Sequence, residues 1–362
     1  ADCGTGLYVF ENVGTTLAMA VVPNIFLTAT DAINTSSFNS AGNWSNNQAP
    51  QSGLNYEVTG AALRTPTGNS AHTFNGDSLT IGAGGTLAFK SRGNITINDL
   101  ILDGGSISHW SVGGDQIADL FGNINVVSDS QLMATGGGTR RLHINSTVVG
   151  STNLLVTTDS DGDRVEFFGN MSGYSGDITV NGRADIFNSS LGSGTALVNG
   201  LLRSSNTPSA NGYIAGTIAG DIQVNDGGQA FIQIPTATGG GGPYVIAQQF
   251  TIDGDAANSA DNSQIHYDPA GATVNGSRRV DLTDVRLAAN AIAGIRNNEG
   301  SGGNVGFTLL GDATITADGE ADIFDLLNVD SSGGAHTLTI GQTETFNTQL
   351  LGTSDANTTL TL

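Results

Sequence analysis

The chain has 362 residues, of which 52 are Gly, while 12% are charged, 6% are aromatic and the formal net charge is −21. Gly without a three-residue period excludes a collagen triple helix, and the dominance of Gly, Asn, Ser, Thr and Asp, all poor helix formers, excludes a helix-rich or coiled-coil protein. Val, Ile and Leu run along the whole length, against ordinary disorder, and the acidic balance makes nucleic acid and anionic lipid poor partners, since both need a basic footprint.

In chain order, the only cysteine is Cys3. It allows neither an intrachain disulfide nor a Cys-cluster metal site. Residues 15–30, TTLAMAVVPNIFLTAT, form the most apolar stretch. No Lys or Arg precedes Arg64 and Pro23 interrupts the run, so the basic start of a signal peptide is missing, and the stretch is too short and too polar at its ends for a transmembrane helix. Residues 1–35 are therefore read as an apolar N-terminal arm or cap, extended or briefly helical, that covers the open end of the fold or inserts into a neighbouring subunit. Leu17, Met19, Val21, Val22, Ile25, Phe26 and Leu27 are its expected intersubunit contacts. The numbering is expected to begin after a removed export signal.

From residue 36 to 362 the pattern predicts one β-solenoid domain. Short tracts such as Ser78-Leu79-Thr80-Ile81, Thr86-Leu87-Ala88-Phe89, Ile95-Thr96-Ile97 and Leu100-Ile101-Leu102 alternate with period two and are stopped by Gly, Asn or Asp. The pieces between them are too short for helices. A hairpin sandwich would call for aromatic cross-strand pairs, yet 2 Trp and 6 Tyr are all the chain has. A parallel β-helix does not need them, because each rung of about 20–25 residues stacks aliphatic side chains on the next. Gly239–Gly242 and residues 253–280 read as departures from the rungs, an irregular excursion near 239–300. Within it Asp284–Ile295, DVRLAANAIAGI, reads as a helix.

Asp159, Asp161 and Asp163 are the metal candidate, since alternate carboxylates suit a hard cation such as calcium. Arg164 and Asn170 stand where an EF-hand needs Gly and Glu, and a solvated turn is the simpler account. No other cofactor is indicated. For a polysaccharide-cleaving enzyme the candidates are Asp161 with Asp163, or the Arg140-Arg141 and Arg278-Arg279 pairs, but nothing in the spacing makes them converge. His72, His109, His143, His266 and His336 are isolated and read as strand or turn residues. Trp44 and Trp110 read as caps over the ends of the core.

The piece Phe167-Phe168-Gly169-Asn170-Met171-Ser172-Gly173-Tyr174-Ser175-Gly176, followed by Asp177-Ile178-Thr179-Val180-Asn181-Gly182, resembles the autotransporter-associated β-strand repeat of secreted bacterial proteins. Leu191-Gly192-Ser193-Gly194 with Ala196-Leu197-Val198-Asn199-Gly200 is similar to that family's next element. The resemblance implies a right-handed parallel β-helix exported to the cell surface or medium, and does not imply catalysis. The expectation is thus an extracellular, non-enzymatic structural protein: a β-solenoid subunit of a self-assembling fibre, filament or adhesive appendage, homo-oligomeric, whose N-terminal arm adds a strand to a neighbour. The alternatives are a β-helix polysaccharide lyase or glycosidase and a monomeric glycan-binding adhesin.

Overall fold

A computed structural model of the chain describes residues 7–13, 16–22, 24–90, 92–110, 116–136, 139–160, 162–187, 190–204, 217–225, 227–233, 244–246, 249–253, 263–268, 280–297, 303–316, 324–341 and 356–361. All regular structure among them is β-strand, and parallel strands stack into a β-solenoid. Two units are distinguished, Ala1–Val165 and Glu166–Leu362. No helix among the described residues is long and apolar enough to cross a membrane.

The first unit opens with an antiparallel hairpin, Leu7–Val13 against Thr16–Val22, in register from Leu7 opposite Val22 to Val13 opposite Thr16. The solenoid begins directly afterwards. Asn24–Phe26 pairs parallel with Asn55–Val58, which pairs with Ser78–Gly82, and the ladder continues through Asn94–Asp103 and Gln116–Ser128 to Thr147–Gly150. Registration places Ile25, Tyr56, Leu79, Leu100, Ile124 and Val148 in one buried column. The core therefore starts at Asn24, and residues 24–35 belong to the first rung rather than to an arm.

On a second face Leu63, Leu87, Ile107, Leu132 and Val156 stack in the same way. They stand 24, 20, 25 and 24 positions apart, the rung length that the tract spacing predicts. Alternation explains the registration: every second residue faces inward, and a slip of one position would turn the whole apolar set outward. Where the long strand Gln116–Ser128 turns from one face to the next, Gly122 has a φ of 110°. A Cβ there would lie 1.8 Å from the Ile97 carbonyl oxygen, so glycine alone fits this corner.

The first rung is closed from above. Segment 43–45 runs along the strand that starts at Asn24: Thr28 N–H donates to the Asn43 carbonyl (2.8 Å), Ser45 N–H donates to the Phe26 carbonyl (2.8 Å), and Leu27 bridges Trp44 antiparallel. Below it Trp44, Tyr56, Phe74 and Phe38 are buried in edge-to-face contacts, Trp44 to Tyr56 at 4.9 Å and Phe38 to Phe74 at 5.3 Å. Trp44 Nε1 donates to the Ser37 carbonyl at 2.7 Å. This lid satisfies the edge backbone that a solenoid end would otherwise leave open.

In the second unit one column runs Ile178, Ala196, Ile222, Phe250, Val285, Phe307, Val329, at intervals of 18, 26, 28, 35, 22 and 22 positions. All seven are buried. In the piece that carries the family resemblance, Asn170 Oδ1 accepts from Ser172 N–H (2.9 Å), and buried Tyr174 donates its hydroxyl to the Asp177 carbonyl (3.3 Å).

Residues 284–295 are not helical. Val280–Leu287 and Ile292–Asn297 are strands, joined by a turn in which Asn290 has a φ of 66°. Val285 and Leu287 stack on Phe307 and Leu309, and this inter-rung burial overrides the helical propensity of the alanines. The described parts of 239–300 likewise contribute rung strands, Phe250–Asp253 and Ser263–Asp268 among them. Residues 234–243, 254–262 and 269–279 lie outside the described residues.

Candidate functional site

In the first unit the strands of the second face, Ala62–Arg64, Thr86–Phe89, Ser106–His109 and Ser130–Ala134, end at one corner. The rung-to-rung bonding continues into it. Thr65 N–H donates to the Ala88 carbonyl and Trp110 N–H to the Phe89 carbonyl, both at 2.9 Å, while Lys90 N–H donates to Thr65 Oγ1 at 2.9 Å. Lys90, Trp110 and Thr135 each stand three positions after a residue of the buried column, Leu87, Ile107 and Leu132. Stacking therefore brings them together although 20 and 25 residues separate them in sequence.

They border a groove of about 560 Å³ whose lining, among the described residues, includes Arg64, Lys90 and Arg140 and no acidic one. In a chain with 33 acidic and 12 basic side chains, this gathers the only lysine with two arginines. The Arg64 guanidinium carbon lies 5.0 Å from the Trp110 ring centroid, a cation–π contact, and its Nε donates to the Asp31 carbonyl at 3.0 Å. Lys90 Nζ donates to the Thr35 carbonyl at 3.0 Å. Burial holds the Lys90 pKa below its ordinary value, the nearby Arg64 charge adds to the depression, and Asp31 opposes it. Asp31 is itself occupied, its carboxylate accepting from the backbone N–H groups of Ser37 (2.8 Å) and Arg64 (2.9 Å).

Asp159, which is exposed, and Asp163 each accept a backbone N–H from a residue of the groove lining. Gly136 N–H donates to Asp159 Oδ2, and Arg140 N–H donates to Asp163 Oδ1, each at 2.6 Å. Asp163 is fully buried. The guanidinium of Arg140 rests against Gly136, where a Cβ would meet Nη1 at 2.9 Å, so glycine makes room for it. These two carboxylates thus anchor the backbone of the rung that carries Arg140. Asp161, the third member of the expected calcium set, lies outside the described residues, and no group of three metal-ligating side chains occurs among the described residues.

The remaining candidates are dispersed. Ile25 and Leu27 are buried in this chain's own first rung and are unavailable to a neighbour, whereas Phe26 is 48% exposed. Leu17, Met19, Val21 and Val22 lie on the second strand of the hairpin. Trp44 is buried under the lid, but Trp110 does not cap a core end, being 37% exposed at the groove. Arg278 and Arg279 lie outside the described residues.

His109 is a strand residue, as its sequence context predicts, and it occupies a core position, in register between Phe89 and Ala134. It is fully buried, and neither ring nitrogen has a hydrogen-bond partner among the described residues. Burial, with Arg140 and then His143 adding charge repulsion, lowers its pKa to about 4, so it is neutral at physiological pH. The neighbouring His143 differs, because its Nδ1 meets Asp119 Oδ1 at 2.9 Å.

The groove is absent from the sequence-based expectations. The signal that finds it is positional: a Lys, a Trp and a Thr at the same offset from successive column residues. No protein-family model, curated protein or solved structure matches the chain. Fold and geometry together define a β-solenoid protein with a cationic, aromatic groove on its first unit.

Proposed function

We propose that this protein is an extracellular, non-catalytic structural β-solenoid that assembles with copies of itself into a surface fibre or adhesive appendage. The observation that carries the proposal is the hairpin Leu7–Val13/Thr16–Val22. A lone two-stranded ribbon is marginal in water, and this one holds a single charged residue, Glu11, among its 14. Such a ribbon gains stability by adding to a sheet elsewhere, and a second copy of the chain supplies one. The backbone contacts of Asp159 and Asp163 support a structural rather than catalytic use of the acidic cluster. The resemblance of residues 167–200 to secreted repeats agrees with an exterior location.

The test is a deletion that ends at Pro23, since Ile25 and Leu27 belong to the core. Full-length protein is expected to form polymers in electron micrographs. The chain lacking residues 1–23 is expected to stay folded and run as a monomer in size-exclusion chromatography. A full-length chain that remains monomeric at every concentration, or polymers that survive the deletion, would overturn the proposal.

A further inference from the structure

The cationic groove stands apart from assembly and asks for a ligand. Its three positive side chains come from different rungs, and the two whose contacts were described above are held by backbone carbonyls, Arg64 by Asp31 and Lys90 by Thr35. Donors fixed before binding lose little freedom on binding. Like charges kept close together, with no carboxylate among the described lining residues, favour an anion between them. Burial is the main cause of the lowered Lys90 pKa, and the Arg64 charge beside it adds to the depression.

Three further features narrow the chemistry. Trp110 offers aromatic surface beside the cations, and indole rings pack against the apolar faces of sugar rings. Asn34, Thr67 and Thr135 supply groups that both donate and accept, as hydroxyl-rich ligands require. The volume of about 560 Å³ lies within the range of small-ligand sites. A long polyanion is disfavoured, because a chain of net charge −21 repels it and three cations release few counterions. We propose that the groove formed by Arg64, Lys90, Trp110 and Arg140 binds one acidic sugar unit, a carboxylated monosaccharide or the acidic residue of a short oligosaccharide.

Binding does not require polymers, so the test uses both the full chain and the chain lacking residues 1–23, and groove and assembly fail separately. Glucuronate, glucose, glucose 6-sulfate and inorganic sulfate are titrated by calorimetry and by tryptophan fluorescence, in which Trp110 is the exposed reporter and Trp44 the buried one. Glucuronate is expected to bind at least about tenfold tighter than glucose, and to weaken as salt is raised. Lys90→Gln and Trp110→Phe are expected to lower glucuronate affinity at least about tenfold and about threefold respectively. Circular dichroism and melting of both variants confirm the fold, and both substitutions are at residues with solvent access.

Tighter binding of glucose 6-sulfate than glucuronate would move the acidic group from carboxylate to sulfate and overturn the carboxylated assignment. Equal binding of inorganic sulfate would reduce the site to a general anion site. No binding of glucuronate up to about 20 mM, or affinity unchanged by Lys90→Gln, would overturn the proposal entirely.

Discussion

The two units solve one stacking problem with different regularity. In the first, successive members of a core column recur after 20 to 25 positions; in the second the interval ranges from 18 to 35. Yet the column is buried in both. Rung length is thus absorbed outside the strands, as expected when the entropy of closing a loop grows only logarithmically with its length.

What stays constant is the position adjacent to a strand end, and the units use it differently. In the second unit Asn181, Asn199 and Asn225 follow or end successive strands. Their side chains bond one rung to the next, Asn199 Nδ2 to Asn181 Oδ1 at 2.7 Å and Asn225 Nδ2 to Asn199 Oδ1 at 2.6 Å. In the first unit Lys90, Trp110 and Thr135 occupy strand-end positions and border the groove. An amide ladder satisfies itself. A cation and an indole at such positions do not satisfy each other in that way, and they leave chemistry for a ligand.

The contrast can be broken most severely at the aromatic lid of the first unit. Trp44→Ala removes a buried indole in contact with Tyr56 and Phe74 and its hydrogen bond to Ser37. A loss of about 3–5 kcal/mol is expected. Hydrogen exchange should show the loosening concentrated in the first unit, with the strands around Asn199 protected as before.

Acid provides the next test. The pKa of His109 is lowered to about 4 in the folded chain against 6.5 unfolded, so between these values the unfolded state binds more protons. Its contribution is complete above about pH 6.5 and disappears as the pH falls to about 4, a change of about 3 kcal/mol. Urea unfolding across this window should show the loss, and His109→Gln, which cannot titrate, should flatten the curve by the same amount. The smallest effect is expected in the second unit. Asn199→Ala interrupts an exposed ladder and should cost about 1 kcal/mol, read as a shift in the urea midpoint without a change of slope.

Much of the fold was legible because its determinants are local. Period-two alternation at Leu79 and Ile81, or at Val198 and its neighbours, together with Gly and Asn between tracts, states strand and corner directly. The reading failed where a local signal competed with stacking. Ala288–Ala291 suggests a helix, but Val285 and Leu287 gain more as members of columns. Ile25 and Leu27 look like part of an apolar arm, but the first rung claims them. Asp159 and Asp163 look like metal ligands in a run of acids, whereas in the fold they accept backbone N–H groups from the preceding rung.

The candidate groove was the least legible part. Arg64, Lys90, Trp110 and Arg140 are spread over 77 positions, and no motif joins them. By itself the sequence determined an all-β chain of short rungs with an aliphatic core, because alternation and turn chemistry act within a few residues. Only the tertiary structure decided which corner residues meet, which carboxylates are buried and which histidine enters the core. Those outcomes depend on the register between rungs, and register is settled by burial across separations of about 20 residues or more.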